Sequence, residues 1–250
     1  MTPELIRRKL AEHSTAAGWH PLLAVESGSR AWGFASPDSD FDVRLIYVHR
    51  REAYLAIDPP AETFELIEES WFDLGGWELR KALRLLRRSN AVLLEWLQSP
   101  LVYAGDDAFC ARLRALAPAY VQPAALLHHY RGIAHNSLKQ IQLAAPLRLK
   151  RWFYVLRPLL AARWAVQRNA LPPMTLAALL DGVAPATVGL IDELIARKAE
   201  LGEGQSAPLP PALRTFTVAL AEAVAELEAP RREPGPTGPL DELFRAALPC

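Results

Sequence analysis

The hydrophobic period of this chain changes near residue 78, and few architectures accommodate that change. Before it, short apolar runs lie between turn residues. Residues 22–26 and 41–49 are dense in Leu, Val, Ile and Tyr and read as strands. Residues 63–74 read as a third strand, ended by Gly75-Gly76. After the change, Leu79, Ala82, Leu83 and Leu86 recur at the spacing of one helix face. Further helices follow at 91–97, 123–143, 149–169, 188–201 and 212–227, with Pro158 expected to kink the helix at 149–169. A helix at 3–17 opens the chain, with Pro3 in its first turn and Gly18 at its end, and 50–55 reads as a short helix. The pattern predicts an α/β fold followed by an all-α part: a small mixed β-sheet over residues 1–105, then a helical domain over 106–229. Residues 230–250 read as a Pro-rich linker and a short C-terminal helix.

Composition narrows the partners. The chain has 250 residues and a formal net charge of zero, so overall charge argues for neither nucleic acid nor a membrane, and any such surface must come from local clustering. No apolar run reaches the ~18 residues a membrane span needs. Cys110 and Cys250 are far apart and make neither a disulfide framework nor a zinc spacing. With no secretory segment near Met1, the expectation is a reducing, cytoplasmic setting.

Chemistry concentrates between Gly28 and Asp42. Gly28-Ser29 follows a strand, where glycine permits close backbone approach to a phosphate and the Ser29 hydroxyl can donate to it. Asp40 and Asp42 stand two apart at the head of the next strand, so their carboxylates share a face. Two adjacent carboxylates repel unless protonated or bridged by a cation. Their hard oxygens suit magnesium, which also takes substrate phosphates. A phosphate cradle beside a carboxylate pair is the outline of a phosphoryl-transfer site.

The string from Gly28 to Arg44 closely resembles the RNA-ligase-associated branch of the polymerase-β nucleotidyltransferases, the RlaP or YcgL type. The segments 76–83, 89–100 and 150–161 resemble it too, so the likeness spans roughly residues 22–180. It implies a magnesium-dependent enzyme, with two ions, that moves a nucleoside monophosphate from a triphosphate to a hydroxyl. Asp40 and Asp42 would hold the metal, and Gly28, Ser29 and Arg30 the nucleotide. The superfamily adds a third carboxylate on a neighbouring strand; Asp73 is the first choice for catalysis and metal binding, ahead of Glu69 and Glu65. It also draws nucleotide contacts from its helical half, which makes Lys150, Tyr154 and Arg157, spaced along one helix face, candidates. RNA repair is the implied context, with RNA as a partner.

Plainer readings stand beside these. Arg44 shares a strand face with Asp40 and Asp42 and suits an ion pair as well as a phosphate. Asp38 reads as a turn residue. Trp152, Phe153 and Trp164 read as core, and His128 and His135 as structural. Arg80, Lys81, Arg84, Arg87 and Arg88 read as a solvated face that an RNA backbone could also use. Two other functions compete: nucleotidylation of a small molecule or protein, which zero net charge favours, and a non-catalytic nucleotide-binding or toxin–antitoxin partner.

Overall fold

The first helix, α1 (Pro3–Ala17), begins where the Thr2 side chain accepts a hydrogen bond from the Leu5 amide and ends where Gly18 turns left-handed at φ 68°. In this computed structural model, which describes residues 2–68, 71–201 and 205–249, its buried Ile6 and Leu10 pack on one face of a sheet. That sheet joins β1 (His20–Glu26), β2 (Phe41–Val48), β3 (Thr63–Glu68), β4 (Phe72–Glu78) and β5 (Val102–Gly105) in the order β3-β4-β2-β1-β5. β2 and β4 run parallel and the other pairs antiparallel, so the sheet is mixed, as the sequence predicts. Side chains alternate across it. Val43, Leu45, Tyr47, Phe72 and Leu74 face α1 and form the core, which leaves Asp42, Arg44, Asp73 and Gly75 on the opposite face.

Residues 63–74 are not one strand. The chain doubles back as the antiparallel pair β3 and β4, with Leu66 opposite Leu74 and Glu68 opposite Phe72. No glycine or proline marks the reversal, so the apolar period alone merges the two strands. Gly75 and Gly76 lie inside β4 rather than after it. At Gly76 a Cβ would come within 2.6 Å of the Phe64 ring and 2.7 Å of the Leu45 carbonyl, so packing demands glycine there. Glu69 lies outside the described residues. β5, four residues long, is too short for its period to announce it.

Helices then take over. α2 (Gly28–Trp32) follows β1, and a 3₁₀ turn spans Arg51–Leu55. α3 (Leu79–Arg87) buries Leu79, Ala82, Leu83 and Leu86, and Glu78 caps it by accepting from the Lys81 amide. α4 (Ala91–Trp96) is capped by Asn90 and α5 (Asp107–Leu116) by Asp106. After these come α6 (Pro123–Leu138), β6 (Leu147–Arg148), α7 (Leu149–Gln167), α8 (Leu176–Leu179), α9 (Pro185–Leu201), β7 (Ser206–Ala207), α10 (Pro211–Ala225) and α11 (Gly238–Ala247). Helix α7 continues through Pro158.

The chain forms two compact units. One contains Met1–Ala31, Asp40–Val121 and Glu233–Cys250; the other contains Trp32–Ser39 and Gln122–Arg232. In the first, the sheet carries α1, and the C-terminal segment returns to it: Tyr120 donates to the Pro236 carbonyl at 2.7 Å and Arg87 Nε to the Gly235 carbonyl at 3.2 Å. The second is built on α6 against α7, with Trp152, Phe153, Leu156 and Leu160 buried. There Trp152 Nε1 donates to the Thr217 hydroxyl at 3.0 Å, which donates to the Leu213 carbonyl at 2.7 Å, tying α7 to α10. Among the described residues, no helix is long and apolar enough to cross a membrane.

Candidate active site

The site begins where β1 ends. The Ser27 amide donates to the Asp42 carbonyl at 2.8 Å, joining the end of β1 to the head of β2. Gly28 then takes φ 62°, a conformation that side chains disfavour. A Cβ there would meet Asp42 Oδ2 at 2.0 Å, so the carboxylate rests directly on the glycine backbone. Ser29 follows, buried. Arg30 spends its Nε on the Asp40 carbonyl at 3.0 Å, and its guanidinium lies 3.8 Å from the centre of the Phe41 ring. It therefore braces the loop at Asp40. Ser36 and Ser39 close the Asp38 turn through a 3.0 Å bond from the Ser36 amide to the Ser39 hydroxyl, and Asp38 is exposed on it.

Two neighbours hold the Asp42 carboxylate and backbone. Arg44 Nη2 donates to Asp42 Oδ1 at 3.1 Å and to Asp73 Oδ2 at 2.7 Å, while its Nη1 reaches Asp73 Oδ1 at 3.1 Å. The parallel register sets Asp73 opposite Asp42, and Arg44 bridges them. Burial works against the Arg44 charge, but the Asp73 hydrogen bonds and both carboxylate charges outweigh it and raise the pKa. On the other side, the Asp42 amide donates to Glu26 Oε1 at 2.8 Å, and the Tyr103 hydroxyl donates to Glu26 Oε2 at 2.5 Å. Glu26 is fully buried, and burial pushes its pKa up to about 7 against those two hydrogen bonds. Glu26 escaped the sequence reading; its only signal was a carboxylate closing an apolar strand.

The donor set fits magnesium in part. Asp40 and Asp42 offer hard carboxylate oxygens at the strand head, and magnesium is commonly held by one or two carboxylates with waters and phosphate oxygens completing its shell. Both oxygens of Asp73 are occupied by Arg44. Glu65 lies on exposed β3, opposite Gly75. Among the described residues, no three His, Cys, Asp or Glu side chains gather as a metal cage.

The remaining sequence candidates lie in the second unit. Lys150 and Tyr154 line a hollow of about 170 Å³ with Gln140 and Arg151. Arg157 is not among its lining residues. It is buried, it donates through Nε and Nη2 to the Met174 carbonyl at 3.1 and 2.9 Å, and it lies 4.4 Å from the Trp32 ring centre. Its place on α7 turns it inward, where sequence spacing alone put it beside Lys150. His128 and His135 line a separate cavity of about 370 Å³.

Comparison with known proteins identifies the family. Residues 3–246 match the family described as RlaP, the RNA repair pathway DNA polymerase beta family. The uncharacterized protein YcgL of Bacillus subtilis (strain 168) is 38% identical over 218 residues, which span 85% of this chain and 84% of YcgL. A crystal structure of a nucleotidyltransferase-like protein from Exiguobacterium sibiricum 255-15 aligns over 98% of this chain and 74% of its own, at 12% identity and a TM-score of 0.32, a likeness too loose to bear on the site. By a family match over nearly its whole length and a relative 38% identical of similar size, this chain belongs to the RlaP family, the RNA repair pathway DNA polymerase beta family.

Proposed function

We propose that the protein is a magnesium-dependent nucleotidyltransferase that moves a nucleoside monophosphate from a nucleoside triphosphate to a hydroxyl, with an RNA end as acceptor. The observation that carries this reading is the contact of the Asp42 carboxylate with Gly28, which sets a metal-ligating group against the loop that would cradle phosphate. Gly28 and Ser29 would hold the β- and γ-phosphates, while Asp40 and Asp42 would hold magnesium. The metal would neutralise the charge that develops on the phosphates. The acceptor hydroxyl would pass its proton to Asp73 and on to water as its oxygen bonds to the α-phosphorus, while the bond to the β-phosphate oxygen breaks and pyrophosphate leaves. Asp73 would face the acceptor. To ligate a second ion it must take at least one oxygen back from Arg44, which at present holds both. In the second unit, Lys150 and Tyr154 offer an ammonium and a phenol to a nucleotide in their own hollow. The family description supports RNA as the acceptor.

A second reading draws support from Arg44. With a guanidinium already between Asp42 and Asp73, the site can bind a nucleotide without transferring it. One experiment separates the readings: magnesium and each α-labelled triphosphate, with and without pooled RNA, beside an Asp40→Ala/Asp42→Ala control. Label moved to RNA by the native protein alone supports the proposal. Binding without transfer to RNA moves the acceptor to a small molecule or protein, or supports the non-catalytic reading if no acceptor is found. Neither binding nor transfer, in a folded sample, refutes the proposed function.

A further inference from the structure

A hollow of about 290 Å³ opens on the sheet face beside Asp73, within the first unit. Gly75 makes it possible. In the β3-β4-β2 ladder Gly75 stands between Glu65 and Arg44, so the one position without a side chain leaves a gap between two charged ones. Nothing in the fold requires glycine there. Its φ is not positive, and an added Cβ would meet no atom nearer than 3.5 Å, an ordinary contact. The contrast with Gly76, where a Cβ would collide at 2.6 Å, is direct. A strand glycine that packing does not need weakens the strand and marks a place where something approaches closely.

The lining says what approaches. One wall is Trp77 stacked on Trp96, with ring centres 4.1 Å apart and planes at 23°. Trp96 is 3% exposed, and its Nε1 donor is buried with no hydrogen-bond partner among the described residues. An unpartnered buried donor asks for an explanation, and an acceptor brought by a ligand is one. The other wall carries Asp73 and Glu65 against one cation among its described lining residues, Arg44. Two carboxylates against one guanidinium repel phosphate and favour hydroxyl groups, which donate to carboxylates. The volume lies at the lower end of small-ligand sites, roughly 300 Å³, which suits one nucleoside.

We propose that this hollow receives the terminal nucleoside of the acceptor, its ribose hydroxyls donating to Asp73 and Glu65 and its base held against Trp77 with a ring acceptor on Trp96 Nε1. The proposal rests on the nucleotidyl-transfer reading for its meaning, but its test needs neither magnesium nor triphosphate. Binding of uridine, adenosine, 2′,3′-dideoxyuridine and uridine 3′-monophosphate is measured by calorimetry and by quenching of tryptophan fluorescence. The native protein is expected to bind the nucleosides, and the dideoxynucleoside and the 3′-phosphate about tenfold more weakly. Gly75→Val, which fills the hollow with a strand-favouring side chain, and Trp96→Phe, which keeps the ring but removes the donor, should each weaken uridine binding about tenfold while melting near the native temperature. No nucleoside binding by the native protein would overturn the proposal. So would native affinity in both variants, or dideoxyuridine binding as tightly as uridine. Should Gly75→Val fail to fold, Trp96→Phe decides. Nucleoside binding with no label transfer to RNA in the earlier assay would count against RNA as the acceptor of the transfer while leaving the pocket in place.

Discussion

Asp42 Oδ2 occupies the space that a side chain on Gly28 would need, 2.0 Å from where its Cβ would stand. Glycine here serves two ends at once: it permits φ 62°, and it lets the carboxylate lie against the backbone of the Gly-Ser loop. Gly28→Ala should therefore lower stability by roughly 1–3 kcal/mol. It should also reduce label transfer by about 100-fold or more, because small displacements of catalytic groups cost rates of that order. Differential scanning fluorimetry and the transfer assay check both. Native activity in Gly28→Ala would show that the contact is incidental.

Arg44 neutralises two carboxylates that face each other across the parallel ladder. Removing its charge should leave them repelling, at a cost of roughly 1–3 kcal/mol in this partly exposed setting. Magnesium should then substitute for the guanidinium, so its addition should raise the melting temperature of Arg44→Gln more than that of the native protein. Equal rises in the two proteins would mean that the cation binds without reference to the Asp42–Asp73 pair.

Glu26 predicts a pH dependence in metal-free buffer. Burial raises its pKa from an ordinary value of 4.5 to about 7 in the folded protein. A carboxyl with a raised folded pKa binds its proton more tightly when folded. Its contribution is thus fully present below about pH 4.5 and is lost as pH rises through 7, up to about 3 kcal/mol in all. Glu26→Gln, which cannot ionise, should lose less stability than the native protein between pH 5 and 8. Parallel melting curves across that range would rule this out.

Arg157 and Lys150 should separate cleanly. Arg157→Met leaves the buried Met174 carbonyl without its two guanidinium donors and should cost about 2–4 kcal/mol. Lys150→Ala removes an ammonium from an open hollow and should change stability by less than about 0.5 kcal/mol. On the proposed function it should weaken triphosphate binding severalfold. Urea denaturation and a triphosphate titration give both halves. An Arg157→Met protein of native stability would contradict the buried role assigned to it.

Much of this site lies close together in the chain, which is why it could be read there. Gly28, Ser29, Asp40 and Asp42 fall within fifteen consecutive residues, and their meaning rests on local facts: a glycine's freedom, a turn at Pro37-Asp38, a side-chain alternation of two. Most helices after Glu78 announced themselves for the same reason, since a buried face repeats along contiguous residues, while α5 and the four-residue α8 went unread. The strand face of Arg44 suited an ion pair and a phosphate equally, and the structure pairs it with Asp42 and Asp73.

What the sequence by itself determined is the order of local structure: strands, then helices, with a glycine and two carboxylates at one junction. Only tertiary structure decided which distant residues meet. The parallel register places Asp73 beside Asp42, the hairpin at residues 63–78 sets Glu65 across from Gly75, and the edge strand β5 carries Tyr103 to Glu26. Helix α11 returns to the sheet's unit after more than a hundred residues spent elsewhere. Period and turn chemistry belong to neighbours in the chain. Register and burial arise from contacts between remote segments, whose closure cost and packing gain no local pattern records.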